Sequence, residues 1–286
     1  MIHPGLAGFS RFREGREWLA RLPRLVSECA GRWQLELGEP FSYAYASLAL
    51  PAARSDGTEA VLKVQFPDRE SEHEAAALAL WDGDGAIRLL DHDPERRALL
   101  LERCRPGTPL AAAGPEAALD VLMGLAPRLW KPAAAPFTRL SDEAARWASH
   151  LVERWERAGR PFERRLLDAA FAALTELPGS QGDQVLLHQD LHGDNVLAAR
   201  REPWLAIDPK PLVGERAFGI APIVRSFELG HGARAVRRRF ERLTVELGLD
   251  RERARGWAIG QTLAWAFDSS HSRRHIETAR WLLQAR

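Results

Sequence analysis

Residues 185–208, VLLHQDLHGDNVLAARREPWLAID, place His188, Asp190 and Asn195 in the order His-x-Asp-x-x-x-x-Asn, and Asp208 closes the next apolar run. These residue types suit one chemistry. A carboxylate at 190 can orient a hydroxyl group and accept its proton. An amide oxygen at 195 and a second carboxylate at 208 can hold magnesium on phosphates, because that ion takes hard oxygen ligands. Together they point to transfer of a phosphoryl group to an alcohol. His, Asp and Asn are common loop residues, so the spacing alone is a weak signal. The alternation of strand, loop and strand that ends on a carboxylate makes it a stronger one.

The elements that position these residues can be read from the same stretch. Residues 185–187 form an apolar strand, 188–195 a polar loop, 196–198 a second strand, 200–203 a charged turn and 204–207 a third strand. This is the layout of the catalytic loop in protein kinases, with Asp190 at the base and Asn195 and Asp208 at the magnesium ligands. The N-terminal third supplies partners for that template. Residues 11–31 carry apolar positions at helical spacing, and Gly31 reads as the stop. A meander follows through residues 33–37 and 43–50, a turn at Asp56-Gly57, and a β-rich strand at 59–66 that holds Lys63 among apolar neighbours. In the template Lys63 binds the α- and β-phosphates of the nucleotide as a point charge. Taken by itself it reads as an outward lysine on an alternating strand.

Residues 70–81, ESEHEAAALALW, have high helix propensity. They offer Glu74 as the glutamate that fixes Lys63, with Glu70 as a substitute one turn earlier. Two further strands, 87–90 and 98–101, lead into a connector from Leu101 to Cys104, where a kinase would present backbone groups to adenine. A glycine-rich phosphate loop is weakly represented: Gly38 stands alone in LGEPFSYAYAS, leaving Ser42, Tyr43 and their amides as substitutes. The remainder is mostly helical, with apolar positions at helical spacing in 111–130, 141–158, 162–177, 233–247, 251–269 and a last helix to 286. The first of these reads as broken at Pro127. The elements read as α+β, with a small antiparallel-sheet N-lobe at 1–104 and a mainly helical C-lobe at 105–286.

Composition narrows the function classes. The chain has 286 residues, 45% hydrophobic and 28% charged, with a net charge of +1. A balance so close to neutral argues against nucleic acid or an anionic membrane surface as partner. Cys29 and Cys104 make no disulfide framework, and a cytoplasmic setting is expected. No apolar run reaches the roughly 18 residues of a membrane helix, and the first 20 residues lack the apolar core of a signal peptide.

With HQDLHGDNVL, AIDPKPLVGERAFGIAP, AVLKVQF and EHEAAALALWDGDGAIRLLDHD in view, the chain resembles the aminoglycoside/hydroxyurea antibiotic-resistance kinases. The likeness spans nearly the whole chain, and IDPK-x-x-x-G-E-R is more specific than the loop spacing. The resemblance implies a bilobal, protein-kinase-like fold that uses ATP and Mg2+ to phosphorylate a small-molecule hydroxyl. Asp190 would be the base, Asn195 and Asp208 the metal ligands, and Lys63 with Glu74 the phosphate-binding pair. His188 would be a structural loop residue, and His192 would lie near the nucleotide without doing chemistry. The sequence departs from the family twice: Gln189 replaces a usual glycine, and Gly219 replaces a helix aspartate that braces the catalytic loop in kinase-like folds.

The substrate expected from the resemblance is an aminoglycoside such as streptomycin, whose two guanidinium groups call for carboxylates and flat aromatic faces. Trp257, Trp265 and Asp268 can share one face of a helix, and Trp147, Trp155, Glu153 and Glu156 form a second candidate set. Either set of tryptophans also fits a helix core. A kinase of another small alcohol, or a degenerate kinase fold that binds without catalysis, stands as the alternative.

Overall fold

Trp18, Leu22, Leu25 and Cys29, at helical spacing, form the buried face of α1 (Arg13–Trp33). The computed structural model describes residues 4–42, 46–267 and 272–284, and the chain divides into two compact units, Met1–Gly107 and Thr108–Arg286. In the first unit a 3-10 helix at Pro4–Arg11 precedes α1. After it come β1 (Leu35–Leu37), β2 (Ser47–Arg54), β3 (Glu59–Gln65), α2 (Glu74–Trp81), β4 (Leu89–Asp93) and β5 (Ala98–Glu102). The strands form one antiparallel sheet in the order β1-β2-β3-β5-β4. Successive side chains on a strand point to opposite faces. Ala60, Leu62 and Val64 of β3 therefore join α1 in the core, and Lys63 and Gln65 face the other way.

Among the boundaries that differ from the sequence reading, three can be traced to local contacts. Helix α1 runs past Gly31 to Trp33, because Gln34 takes the left-handed cap (φ 52°) and its N–H reaches the carbonyls of Ala30 and Gly31. Helix α2 starts at Glu74, four residues later than expected, after Asp68 has drawn the Ser71 N–H and hydroxyl into a turn. In the second unit, Pro127 lies inside the helix at 115–129. It falls in the last turn, so the bond it forfeits to the Met123 carbonyl comes only two residues before the helix ends.

The second unit begins with a 3-10 helix at Leu110–Ala113. It continues through α3 (Pro115–Leu129), β6 (Thr138–Arg139), α4 (Leu140–Arg157), α5 (Arg164–Glu176), β7 (Val185–Leu187), β8 (Val196–Ala198), β9 (Trp204–Ala206) and β10 (Leu212–Gly214). After a 3-10 turn at Arg216–Ile220 come α6 (Ala221–Arg225), α7 (Ala233–Glu246), α8 (Arg251–Ala264) and α9 (Ser272–Leu283). β10 lies between β6, to which it is parallel, and β7, to which it is antiparallel. β8 and β9 form a hairpin. The short strands β6 and β10 and helix α6 carry too few residues to show a period, and the sequence reading has none of them. The antiparallel sheet in one unit and the mainly helical content of the other match the fold class expected.

Helix α8 is the centre of the second unit and packs against α5, α6 and α9. Residues 257–264 are all buried, so the helix has no solvent face from Trp257 onward. Gly256 and Gly260 let α5 and the chain after it approach: a Cβ at 260 would stand 3.0 Å from Leu174 Cδ2, and one at 256 would stand 2.9 Å from Leu177 Cδ1. No helix among the described residues is long and apolar enough to cross a membrane.

Leu62 is fully buried between α1 and the sheet. Leu62→Ala should destabilise the protein by about 2–5 kcal/mol, read as a lower urea midpoint. Val245, 68% exposed, is the control: Val245→Ala should stay within about 0.5 kcal/mol of wild type.

Candidate active site

Within the loop between β7 and β8, the backbone and one histidine make the first set of contacts. His188 is buried, its Nε2 lies 2.9 Å from the Ile207 carbonyl oxygen, and its Nδ1 accepts the Asp190 N–H at 3.3 Å. That pair of contacts fixes the tautomer: Nε2 carries the hydrogen and Nδ1 is the acceptor. Burial, partly offset by Asp190, pulls the His188 pKa down to about 4, so the ring is neutral at physiological pH. The Lys210 N–H closes the arrangement on the His188 carbonyl at 3.0 Å, and the Ile207 N–H does the same on the Asn195 carbonyl at 2.9 Å. The β8–β9 ladder thus brings Asn195 and the end of β9 together, with Asp208 two residues beyond. Asp208 has a left-handed backbone (φ 55°), a conformation that aspartate tolerates better than most residues.

Asp190 is surrounded by positive charge. Arg225 Nη2 donates to its Oδ1 at 2.8 Å, and Lys210 Nζ lies 3.3 Å from Oδ2. Asn195 Nδ2 donates to the Asp190 carbonyl oxygen at 2.9 Å and lies 3.4 Å from Oδ2. His192 Nε2 is 3.8 Å from Oδ1. Burial alone would raise the Asp190 pKa, but Lys210, His192 and Arg225 outweigh it and hold the carboxyl well below the usual range. Both cations also lie over the Trp265 ring, Arg225 Cζ at 4.3 Å and Lys210 Nζ at 4.7 Å from its centroid. Glu228 ties down the far side: its Oε1 accepts the Gly193 N–H at 2.7 Å and lies 3.5 Å from His192 Nδ1. Burial lowers the His192 pKa, but the bond to Glu228 and the charge of Asp190 win, and the net shift is upward.

The donor set suits a magnesium ion. With Asn195 Nδ2 committed to Asp190, its amide oxygen is the atom left for a cation, and Asp208 adds a carboxylate. Among the described residues no group of three or more His, Cys, Asp or Glu could hold a metal. A site of one amide and one carboxylate, completed by phosphate oxygens, does not need such a group.

In the first unit, Lys63 Nζ bonds both oxygens of Glu74, at 2.7 and 2.6 Å, and Gln65 Nε2 donates to Glu74 Oε2 at 2.6 Å. Lys63 is 6% exposed and Glu74 1%, which removes the reading of Lys63 as an outward-facing surface lysine. Leu101 lies inside β5, paired with Val61 and Leu89, and Cys104 follows the strand's end. Gly38 serves packing: its N–H bonds the Pro51 carbonyl at 2.8 Å, and a Cβ would stand 2.9 Å from Pro51 Cγ. Tyr43 lies outside the described residues.

The model of the aminoglycoside/hydroxyurea antibiotic resistance kinases matches residues 32–274. The chain belongs to that family. Membership makes it a phosphotransferase. It is 44% identical over 257 residues to streptomycin 6-kinase of Streptomyces glaucescens, covering 87% of this chain and 83% of that one. It is also 44% identical over 254 residues to hydroxyurea phosphotransferase of Kitasatospora aureofaciens, covering 87% and 73%. Among solved structures it is similar to the choline kinase LicA from Streptococcus pneumoniae, with a TM-score of 0.64 at 14% identity over 92% of this chain and 99% of that one. At that identity the likeness shows the fold alone, which is protein-kinase-like.

As a member of these resistance kinases, the chain carries two departures that have structural counterparts. Gln189 adopts the left-handed backbone (φ 63°) that a glycine would take without strain. A Cβ on Gly219 would stand 2.7 Å from Trp130 Nε1, so Trp130 fills the space that an aspartate side chain would need. The family's GER segment is a structural lock. Glu215 accepts hydrogen bonds from Trp257 Nε1 and from Arg253 Nε and Nη2, the last two at 2.7 and 2.6 Å, which fastens α8 to the turn after β10.

That lock corrects one expectation about substrate. Trp257 is fully buried, edge-on to Phe218, and its indole N–H is spent on Glu215, so it presents no face to a ligand. Trp265 is linked to Asp190 through Arg225 and Lys210, which bond that carboxylate and lie over the indole ring. Asp268 lies outside the described residues. Trp147 and Trp155 are core residues, stacked on Phe218 and bonded to the Phe162 carbonyl respectively. Sequence reasoning missed Arg225, Glu228 and the role of Lys210. Lys210 had a signal, the IDPK segment, whereas Arg225 and Glu228 reach the loop from 35 residues away with no motif around them.

Between pH 6.5 and 4 an unfolded chain protonates His188 and the folded chain does not, so folding stability should fall as pH drops through this window. The shift from about 6.5 to about 4 corresponds to at most about 3 kcal/mol. Urea unfolding across pH 4–7 should give a steeper slope for wild type than for His188→Gln.

Proposed function

We propose that this protein transfers the γ-phosphoryl group of ATP to a hydroxyl of an aminoglycoside, with streptomycin as the first candidate. The observation that carries the reading is the 44% identity to streptomycin 6-kinase over 87% of the chain. The surroundings of Asp190 supply what the reaction needs. The substrate hydroxyl donates to a carboxylate oxygen of Asp190, and its own oxygen attacks the γ-phosphorus as the bond to the β-phosphate oxygen breaks. ADP leaves and the proton ends on Asp190. A carboxylate held far below its usual range is a weak base. That suits a loose transition state, in which the alcohol loses its proton late and positioning does most of the work.

The Asn195 amide oxygen and the Asp208 carboxylate would hold Mg2+, which when bound draws the phosphate oxygens together and neutralises their charge. Lys63, fixed by Glu74, takes the α- and β-phosphates, and backbone groups at Leu101 and Cys104 take the adenine. Lys210 and Arg225 keep the Asp190 carboxylate in one orientation. The reading places the enzyme in the cytoplasm, where ATP is available.

A second reading has its own support. Hydroxyurea phosphotransferase is as similar to this chain as streptomycin 6-kinase is. A substrate guanidinium at Trp265 would also have to compete with the two cations that already lie over its ring. A small neutral acceptor with an N–OH group needs the same base and metal ligands but no such platform.

Magnesium-dependent ADP release, measured with streptomycin and with hydroxyurea, separates the two. Asp190→Asn should lower kcat by about 10²- to 10⁴-fold, and Lys63→Ala should raise KM for ATP. Turnover of neither compound by wild type, or full turnover by Asp190→Asn, would sink the reading.

A further inference from the structure

The peptide unit between Gln189 and Asp190 is gripped at both ends. Its N–H, on Asp190, donates to His188 Nδ1 at 3.3 Å. Its carbonyl oxygen, on Gln189, accepts from Gln261 Nε2 at 3.1 Å. The residue before Asp190 therefore stays in a left-handed conformation (φ 63°) that a glutamine adopts only under constraint. Gln261 lies on α8, the central helix of the second unit, and is 0% exposed. Burying an amide costs free energy unless it bonds. Among the described residues the Gln261 side chain makes this one hydrogen bond, and its Oε1 is buried without a partner. The bond to the loop is what that polar group does there.

The turn after β10 cannot supply an equivalent brace. Gly219 has no side chain, and Trp130 occupies the space where one would begin.

We propose that Gln261 is a positioning residue for phosphoryl transfer, holding the Gln189 carbonyl so that the next residue, Asp190, is aimed at the substrate hydroxyl. The proposal rests on the reading of Asp190 as the base. No side chain at residue 219 shares this role, because Trp130 fills the space where one would begin. Its substrate-independent signature is rigidity of the loop, and its catalytic signature is a loss confined to kcat.

The test uses the full chain and the variants Gln261→Leu, Gln189→Gly/Gln261→Leu and Asp190→Asn, with Gln261→Met in place of Gln261→Leu should the leucine variant not fold. Amide hydrogen exchange over residues 188–195 should speed up by about 10-fold or more in Gln261→Leu, with β7 and α8 still protected. ADP release with streptomycin should show kcat lower by about 10- to 100-fold at an unchanged KM for ATP. The double variant should recover most of that loss, because glycine adopts the left-handed conformation without a brace. Wild-type exchange in the loop overturns the proposal. So does a kcat within about twofold of wild type, or a double variant no better than the single one. Asp190→Asn keeps the two ideas apart: full turnover in that variant, alongside loss in Gln261→Leu, discards the base and leaves the brace standing.

Discussion

The second unit is arranged around a single costly object, the largely buried carboxylate of Asp190. Its side chain is 13% exposed, and an unneutralised charge at that depth would destabilise the fold. Arg225 at the end of α6 and Lys210 after β9 supply the compensating charge, and Trp265 at the end of α8 carries both cations on its ring. Residues from separate elements must therefore meet within a few ångströms. The short strands, the hairpin and the Glu215 lock all serve that meeting.

The first unit solves the same problem with one pair. Lys63 and Glu74 are both nearly inaccessible, and each is the main reason the other can be buried. Their positions follow from two unlike periods. Alternation along β3 turns Lys63 away from the core under α1, and the first turn of α2 delivers Glu74 to that same face. Gln65, two residues along the strand, adds a third contact on the same side. The pair is an arrangement of charge and burial, and its worth to stability is small beside its worth in holding one lysine in one place.

Sequence was most informative where a residue's neighbours along the chain decide its surroundings. β7 and β8 begin and end where the apolar runs do, and Asn195 meets the end of β9 because a short hairpin permits nothing else. It was least informative where distant segments decide. Arg225 and Gln261 bear on the loop through tertiary packing, and nothing in IVRSF or AIGQTL marks either of them. Trp257 shows the opposite failure. Its helical spacing from Trp265 suggested a shared face, but α8 is buried on all sides from Trp257 onward, so spacing could not separate a ligand-facing position from a core position. Helix α1 ends at Trp33, two residues past the expected glycine, where the left-handed cap at Gln34 is joined by a distant contact, the Trp33 indole N–H on Asp91.

The contact between Trp130 and Gly219 bears on how this sequence can change over time. Any side chain gained at 219 must wait until the indole at 130 has been replaced by something smaller, and that first change leaves a hole beside the turn. The two sites can exchange only through an intermediate poorer than either endpoint. A lineage that reaches this combination is held in it by epistasis, whether or not the aspartate would serve the loop better.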